Sequence, residues 1–171
     1  MCANKYVEIR PWDPNQNSVQ ELTDILHRSY RELAEMGSNY WATFQTLEDT
    51  RARISQGECY VTLIDQTIFG TITLSPPGAV ASHEWYRRPG VAHFGQFAVD
   101  PLYRHKRIGD RLLSHVERRA SELGAVEIAL DTAERATHLV TYYSRRGYRI
   151  VGHAQWNHAN YRSVIMSKAF F

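Results

Sequence analysis

The chain has 171 residues, 43% of them hydrophobic and 22% charged, which is ordinary for one globular domain and too few for two comfortable ones. Its net charge of +2 is too small to indicate nucleic-acid binding, so local clusters of charge matter more than the total. Two distant cysteines in no metal-like spacing, and the lack of any run long enough for a signal peptide or a membrane span, predict a soluble cytoplasmic protein without disulfides.

The first half of the chain predicts a strand, two helices and a hairpin. A stretch that is aromatic but not periodic, 38–44, separates the two helices. The expected elements are a strand at 6–10, a helix from Ser18 to Gly37, a helix from Thr46 to Gln56, and strands at 59–64 and 67–74.

The second half predicts a mixed α/β domain with a parallel element at its centre. The apolar run at 126–130 is typical of a strand near the middle of a sheet. The long connection 75–90 holds three prolines, and such loops are often functional. The expected elements are a strand ending at Val99, a helix at 107–123, a strand at 126–130, a helix at 134–146, and strands at 148–156 and 162–169.

A strand, a basic turn and a helix follow one another between His93 and Gly109. The start of a helix offers unpaired N–H groups and the positive end of the helix dipole, so it suits a phosphate. Basic side chains at the same place add charge of the same sign. The turn and the helix start consist of Arg104, His105, Lys106, Arg107, Ile108 and Gly109.

This segment resembles motif A of the GNAT acyl-CoA N-acyltransferases, of the small bacterial type, whose pattern is Gln/Arg-x-x-Gly-x-Gly/Ala. Arg104 and Gly109 match the pattern, whereas Arg107 stands in place of its middle glycine. A second segment, 142–148, is similar to the aromatic-Tyr-x-x-x-Gly-aromatic signature that ends the fourth helix of these proteins. The asparagine that the family carries seven residues before its tyrosine is replaced here by Ala136.

The resemblance implies one GNAT domain over residues 1–171, with about four helices and a mostly antiparallel sheet of about seven strands around a central parallel pair. It implies an N-acetyltransferase that uses acetyl-CoA and no metal. The acetyl group would pass by direct attack to a primary amine of a small molecule or peptide. No nucleic acid or membrane is expected as a partner, and paired subunits are common in the family, so a homodimer is one expected state.

The resemblance also places the cofactor contacts. By position, the backbone of Phe97, Ala98 and Val99 would pair with the pantetheine amides and hold the acyl oxygen, where a polarised N–H stabilises the developing oxyanion. The pyrophosphate would lie on the amides from Arg104 to Gly109. The side chain of Arg107 is compatible with this arrangement if that residue already belongs to the helix.

Two residues are candidate catalytic groups. Tyr143 matches the tyrosine that serves many GNAT enzymes as general acid or cofactor contact, and a phenol with a pKa near 10 can protonate a leaving thiolate. The alternative is a tyrosine that only packs in the core. His93 lies six residues before Val99, where several GNAT enzymes carry the base that deprotonates the amine, a role that His83 and Glu84 could also fill. On a regular strand His93 would share the face of Gly95, Phe97 and Val99.

The acceptor is expected between segment 38–44 and loop 75–90, with Tyr40, Trp41 and Trp85 as candidate contacts. Aromatic side chains there favour a small apolar or cationic amine, although they could equally belong to the core. Two other classes of function remain open. Arg107 and Ala136 would fit a non-catalytic acyl-CoA sensor or partner-binding module, and the basic turn would fit a nucleic-acid binder, although it lacks interleaved aromatic residues.

Overall fold

Seven runs rich in β-branched and aromatic residues form one mixed sheet. The computed structural model of the protein describes residues 7–104 and 106–171, so Tyr6 of the predicted first strand lies outside the described residues. The strands are β1 (Glu8–Pro11), β2 (Glu58–Ile64), β3 (Thr67–Ser75), β4 (Val91–Val99), β5 (Glu127–Ala133), β6 (Arg149–Ala154) and β7 (Ser163–Ala169). Their order in the sheet is β1-β2-β3-β4-β5-β7-β6, and within the described chain β4 and β5 are the one parallel pair of neighbours. The predicted central parallel pair is therefore confirmed.

Five α-helices and one 3₁₀ turn, Pro101–Tyr103, connect the strands in the described chain. The helices are α1 (Val19–Glu35), α2 (Trp41–Phe44), α3 (Leu47–Ile54), α4 (Ile108–Glu122) and α5 (Thr137–Arg145). As expected, the hydroxyls of Ser18 and Thr46 cap α1 and α3 by accepting hydrogen bonds from backbone N–H groups. The fifth helix is the single turn α2, which lies in the aromatic stretch where no periodicity indicated one.

Helices α1 and α4 cover opposite faces of the sheet. Leu112 of α4 packs in one apolar cluster with Phe94 of β4, whereas Leu22 of α1 packs against Val61 of β2 on the other face. None of the described helices is long and apolar enough to span a membrane. The sheet thus has two covered faces, and any opening within it becomes an internal cavity.

Such an opening exists where β4 and β5 part. The two strands pair over three residues, ending at His93 and Ala129, although β4 continues to Val99 and β5 to Ala133. Within β4, Gln96 has a positive φ of 49°, and the pairing with β3 slips by one residue at the same place. A bulge of this kind bends a strand and increases its twist. The bulge therefore lies where β4 leaves its parallel neighbour.

Candidate active site

A cavity of about 910 Å³ fills the opening between β4 and β5. At one end the turn after β4 and the start of α4 line it, with Arg104 and Gly109. At the other end α3 and β5 line it, with Arg53 and Asp131. The cavity falls within the size range of small-molecule and cofactor sites.

The bulge in β4 determines which of its backbone groups turn away from β3. The N–H of Asp100 donates to the carbonyl of Phe69 on β3 at 2.7 Å. Because the hydrogen-bonding direction alternates along an antiparallel strand, Ala98 also pairs with β3, whereas Phe97 and Val99 point away from it. Of the three residues predicted to contact pantetheine through their backbone, Val99 thus faces the opening, and the carbonyl of Phe97 beside the bulge also points away from β3.

Two side chains of helix α1 donate hydrogen bonds to the carbonyls of Phe97 and Val99. The hydroxyl of Tyr30 donates to the Phe97 carbonyl at 2.9 Å, and that of Ser29 donates to the Val99 carbonyl at 3.0 Å. These bonds hold the open edge of β4 in place of a neighbouring strand. The N–H of Val99 lies on the same side of the strand as its carbonyl and so also points to the opening, where a ligand amide or acyl oxygen could accept from it.

The bulge also changes which residues share a face. The ring of His93 stacks on Tyr86 at 4.5 Å, on the side of the sheet that Gly95 shares. Phe97 and Val99 instead lie against the start of α4, on the opposite side. The expectation that His93 shares their face is wrong, because the extra residue in β4 reverses the alternation of side chains.

Of the three predicted base candidates, His93 is the one that lines the cavity, and His83 and Glu84 lie outside the lining. Burial lowers the pKa of His93 to about 4, so its imidazole is neutral near pH 7. Its Nδ1 is buried with no hydrogen-bond partner among the described residues, which leaves Nε2 as the nitrogen that a substrate could reach.

Tyr143 of α5 is buried in the cavity wall among the rings of Phe94, Tyr142 and Tyr148. Burial raises the pKa of Tyr143 well above that of a free phenol. The side chain is therefore neutral and keeps a proton that it could donate. Its position serves the core and the cavity together, so the two interpretations of this tyrosine are compatible.

The start of α4 is an open helix end. Its N-cap residue, Arg107, makes no side-chain capping bond and has a left-handed backbone with a φ of 58° and a ψ of 20°. The expectation that Arg107 belongs to the helix is therefore wrong: it precedes the helix, in a conformation that costs little only for glycine. The first N–H groups of α4 lack a side-chain acceptor, unlike those of α1 and α3, and can receive an anion.

The basic side chains of the turn have different surroundings. The guanidinium of Arg104 pairs with Glu32 and donates to the Ser29 carbonyl, both at 2.6 Å, so its charge is compensated by α1. Lys106 lies over the ring of Tyr103, and the Arg107 side chain is 85% exposed and forms an ion pair with Asp110 at 3.6 Å. His105, the fourth predicted member of the turn, lies outside the described residues. Phosphate binding at this turn would therefore depend on backbone amides more than on Arg104.

The predicted acceptor residues separate into two groups. Tyr40 and Trp41 line the cavity, and the Tyr40 hydroxyl hydrogen-bonds to Thr132 at 3.0 Å. Trp85 lies outside the lining, with the guanidinium of Arg88 3.9 Å above its ring, while its neighbour Tyr86 lines the cavity.

Ala136, which replaces the family's asparagine, is not part of the cavity lining either. It is buried in an apolar cluster with Tyr40 and Tyr161. The methyl side chain of Ala136 therefore serves the apolar core and offers no polar group to the cavity.

Arg53 and Asp131 were not predicted as site residues. Arg53 lies in the last turn of α3, where basic residues are common, and Asp131 follows a run that predicted a strand end at Leu130. Neither belongs to a recognisable motif, and only the fold brings them to one cavity. Among the described residues, no group of three or more His, Cys, Asp or Glu side chains could hold a metal ion.

Comparisons with known proteins agree with this geometry. Residues 19–148 match the model of the acetyltransferase (GNAT) family. The chain is 30% identical over 138 residues to S-(2-succino)cysteine N-acetyltransferase of Bacillus subtilis, which covers 78% of this chain and 79% of that protein. PH1933 from Pyrococcus horikoshii superposes with a TM-score of 0.76 at 19% identity, over 97% of this chain and 99% of its own. The PaiA N-acetyltransferase of Thermoplasma acidophilum, solved with coenzyme A, has a TM-score of 0.67 at 19% identity, over 96% and 99%.

Replacing Arg107 with glycine tests the strain at the start of α4. Because glycine adopts a left-handed backbone without a steric cost, we expect Arg107→Gly to raise the free energy of unfolding by about 1 kcal/mol in a urea titration. Arg107→Ala is the matched control, since it removes the charge and keeps the Cβ atom. Equal stability of the two variants would contradict the assignment of strain.

His93→Gln tests the burial of the imidazole. In the unfolded chain the histidine takes up a proton near pH 6.5, but in the folded protein only near pH 4. The wild-type protein should therefore lose up to about 3 kcal/mol of stability from this residue as the pH falls from 6.5 to 4. The variant should not show that loss. If the curves of unfolding free energy against pH for the variant and the wild-type protein stay parallel, the lowered pKa of His93 is disproved.

Proposed function

Because the chain belongs to the GNAT acetyltransferase family, we propose that it transfers an acetyl group from acetyl-CoA to the primary amine of a small molecule or peptide, by direct attack in a ternary complex. The observation that carries the proposal is the single cavity at the parting of β4 and β5. It joins the open start of α4, the free edge of β4, the half-buried His93 and the buried Tyr143.

The residues present fit coenzyme A. The amides at the start of α4, beginning with Ile108 and Gly109, would hold the pyrophosphate, and the exposed charge of Arg107 would add to their attraction. The N–H groups of Phe97 and Val99 would bind the pantetheine arm and the acyl oxygen as an added strand binds a sheet edge. An N–H already fixed in the strand would stabilise the charge that develops on that oxygen.

His93 and Tyr143 would divide the proton transfers. The amine arrives mostly as ammonium, and the Nε2 of His93 would take one of its protons and pass it to solvent. The amine nitrogen then bonds to the acetyl carbon while the carbon–sulfur bond breaks. Tyr143 would donate its hydroxyl proton to the departing sulfur and recover a proton from the nitrogen that has become an amide.

The first test is calorimetric titration of the protein with acetyl-CoA, with ADP and desulfo-CoA as partial ligands. Binding that requires both the pyrophosphate and the pantetheine arm is the expected result, and no binding would overturn the proposal. Turnover is then followed by release of free thiol with a panel of amines, beginning with S-(2-succino)cysteine, the compound in the name of the 30% identical relative. Tight binding without turnover on any amine would favour a non-catalytic acyl-CoA-binding module instead.

Tyr143→Phe tests the acid. Loss of the hydroxyl should lower kcat by about 100-fold or more, within the range for general acid catalysis, with little change in the affinity for acetyl-CoA. Tyr148→Phe is the control, because that buried hydroxyl donates to Glu117 and lies outside the cavity lining. Equal losses of turnover and affinity in Tyr143→Phe would mean that the tyrosine only binds the cofactor.

A further inference from the structure

The end of the cavity that holds His93 contains two opposite charges on different walls. The Nη2 of Arg53 lies 3.7 Å from the point that a Cβ on Gly95 would occupy, so the guanidinium lies over β4. Asp131 lies across the opening, two residues beyond Ala129, which pairs with His93. Because residues two apart on a strand share a face, Arg53 and Asp131 flank the same side of the opening as His93.

Arg53 is a half-buried cation that forms no direct ion pair within the described ranges, although Asp131 and Asp49 attract its charge from farther away. Its Nη1 donates to the neutral side-chain oxygen of Gln45 at 2.8 Å, and its guanidinium lies 5.0 Å from the ring centre of Trp41. No carboxylate of the described chain is within 4 Å of it. Burial lowers the pKa of Arg53, which reflects the cost of removing this charge from water. An anion bound beside it would offset that cost.

Asp131 is the anionic counterpart of Arg53 on the opposite wall of the cavity. Its carboxylate accepts hydrogen bonds from the Tyr86 hydroxyl at 3.2 Å, the Trp156 indole at 2.9 Å and the Ser163 hydroxyl at 3.4 Å. All three donors are neutral, and within the described ranges no cationic side chain comes within 4 Å of this carboxylate. These bonds fix the carboxylate at the edge of the cavity, where it attracts Arg53 across the opening without forming a direct ion pair with it.

We propose that the acceptor is a free amino acid, whose carboxylate pairs with Arg53 and whose amino group is held by Asp131 beside His93. This inference rests on the proposed acetyl transfer and names its acceptor class. A peptide N-terminus or a simple alkylamine would pair with Asp131 but leave Arg53 without a partner for its charge. A carboxylate without an amine would pair with Arg53 and leave Asp131 without one. An amino acid compensates both charges with one small ligand and presents its nitrogen on the side of the opening that holds His93.

The test compares each proteinogenic L-amino acid with its own carboxamide, at saturating acetyl-CoA, by release of free thiol. The wild-type protein should prefer the free acid of its best acceptor by about 10- to 100-fold in kcat/KM, the range for a hydrogen bond to a charged group. Phenethylamine and putrescine serve as amines without a carboxylate. Their turnover at rates equal to or above those of every amino acid would overturn this inference and leave the acetyl transfer standing. Turnover of no amine would overturn both.

Arg53→Gln should lower kcat/KM for the free acid to the value for the carboxamide and leave the carboxamide unchanged. Glutamine can keep the hydrogen bond to Gln45, so the variant is expected to fold. Arg51→Gln is the matched control, because Arg51 is exposed on the same helix and lies outside the cavity lining. An undiminished preference for the free acid in Arg53→Gln would overturn the assignment. Asp131→Asn should raise KM for acid and carboxamide alike, and an unchanged KM would remove Asp131 from the site.

Discussion

Strands in the middle of a sheet seldom give up their hydrogen bonds, because a buried backbone N–H or C=O without a partner costs free energy. In this protein β4 and β5 do so after His93 and Ala129. The cost is reduced on the carbonyl side, where Tyr30 and Ser29 of α1 donate to the freed edge of β4. The amides are left without that compensation, and this asymmetry makes the opening a place for a ligand that accepts hydrogen bonds.

The same helix fixes the turn that follows the strand. Arg28 of α1 pairs with Asp100 at 3.0 Å, and Arg104 reaches back to Glu32 and to the Ser29 carbonyl. Partly exposed ion pairs contribute little stability one at a time. Here they act together with hydrogen bonds to the backbone, so they orient the turn more than they stabilise the fold. The consequence is that Arg104 helps to shape the proposed phosphate site, while its own charge is engaged by α1.

Much of this architecture could be predicted from the sequence, because periodicity and capping act locally. The strands, the caps of Ser18 and Thr46 and the central parallel pair all follow from such signals. The face of the sheet on which His93 lies could not be predicted from the sequence. Gln96, with its positive φ, reverses the alternation of side chains along β4 and leaves no mark in the hydrophobic pattern. The position of Arg107 before the helix could not be predicted for a related reason. The periodic pattern of α4 begins at the next residue, and the left-handed backbone of Arg107 is a property of the turn.

The location of Arg53 and Asp131 at the cavity could not be predicted, because no local sequence pattern distinguishes a charged side chain that lines a cavity from one that faces solvent. The cavity into which they are brought holds the proposed acid and the proposed base as neutral groups, because one physical cause, burial, lowers the pKa of His93 and raises that of Tyr143. Neither group can therefore attract a charged acceptor at neutral pH. Fixed charges must supply that attraction, and at the His93 end of the described cavity Arg53 and Asp131 carry them. In the proposed reaction, recognition and proton transfer thus fall to different residues, so the charges that would hold an acceptor need not titrate during its acetylation.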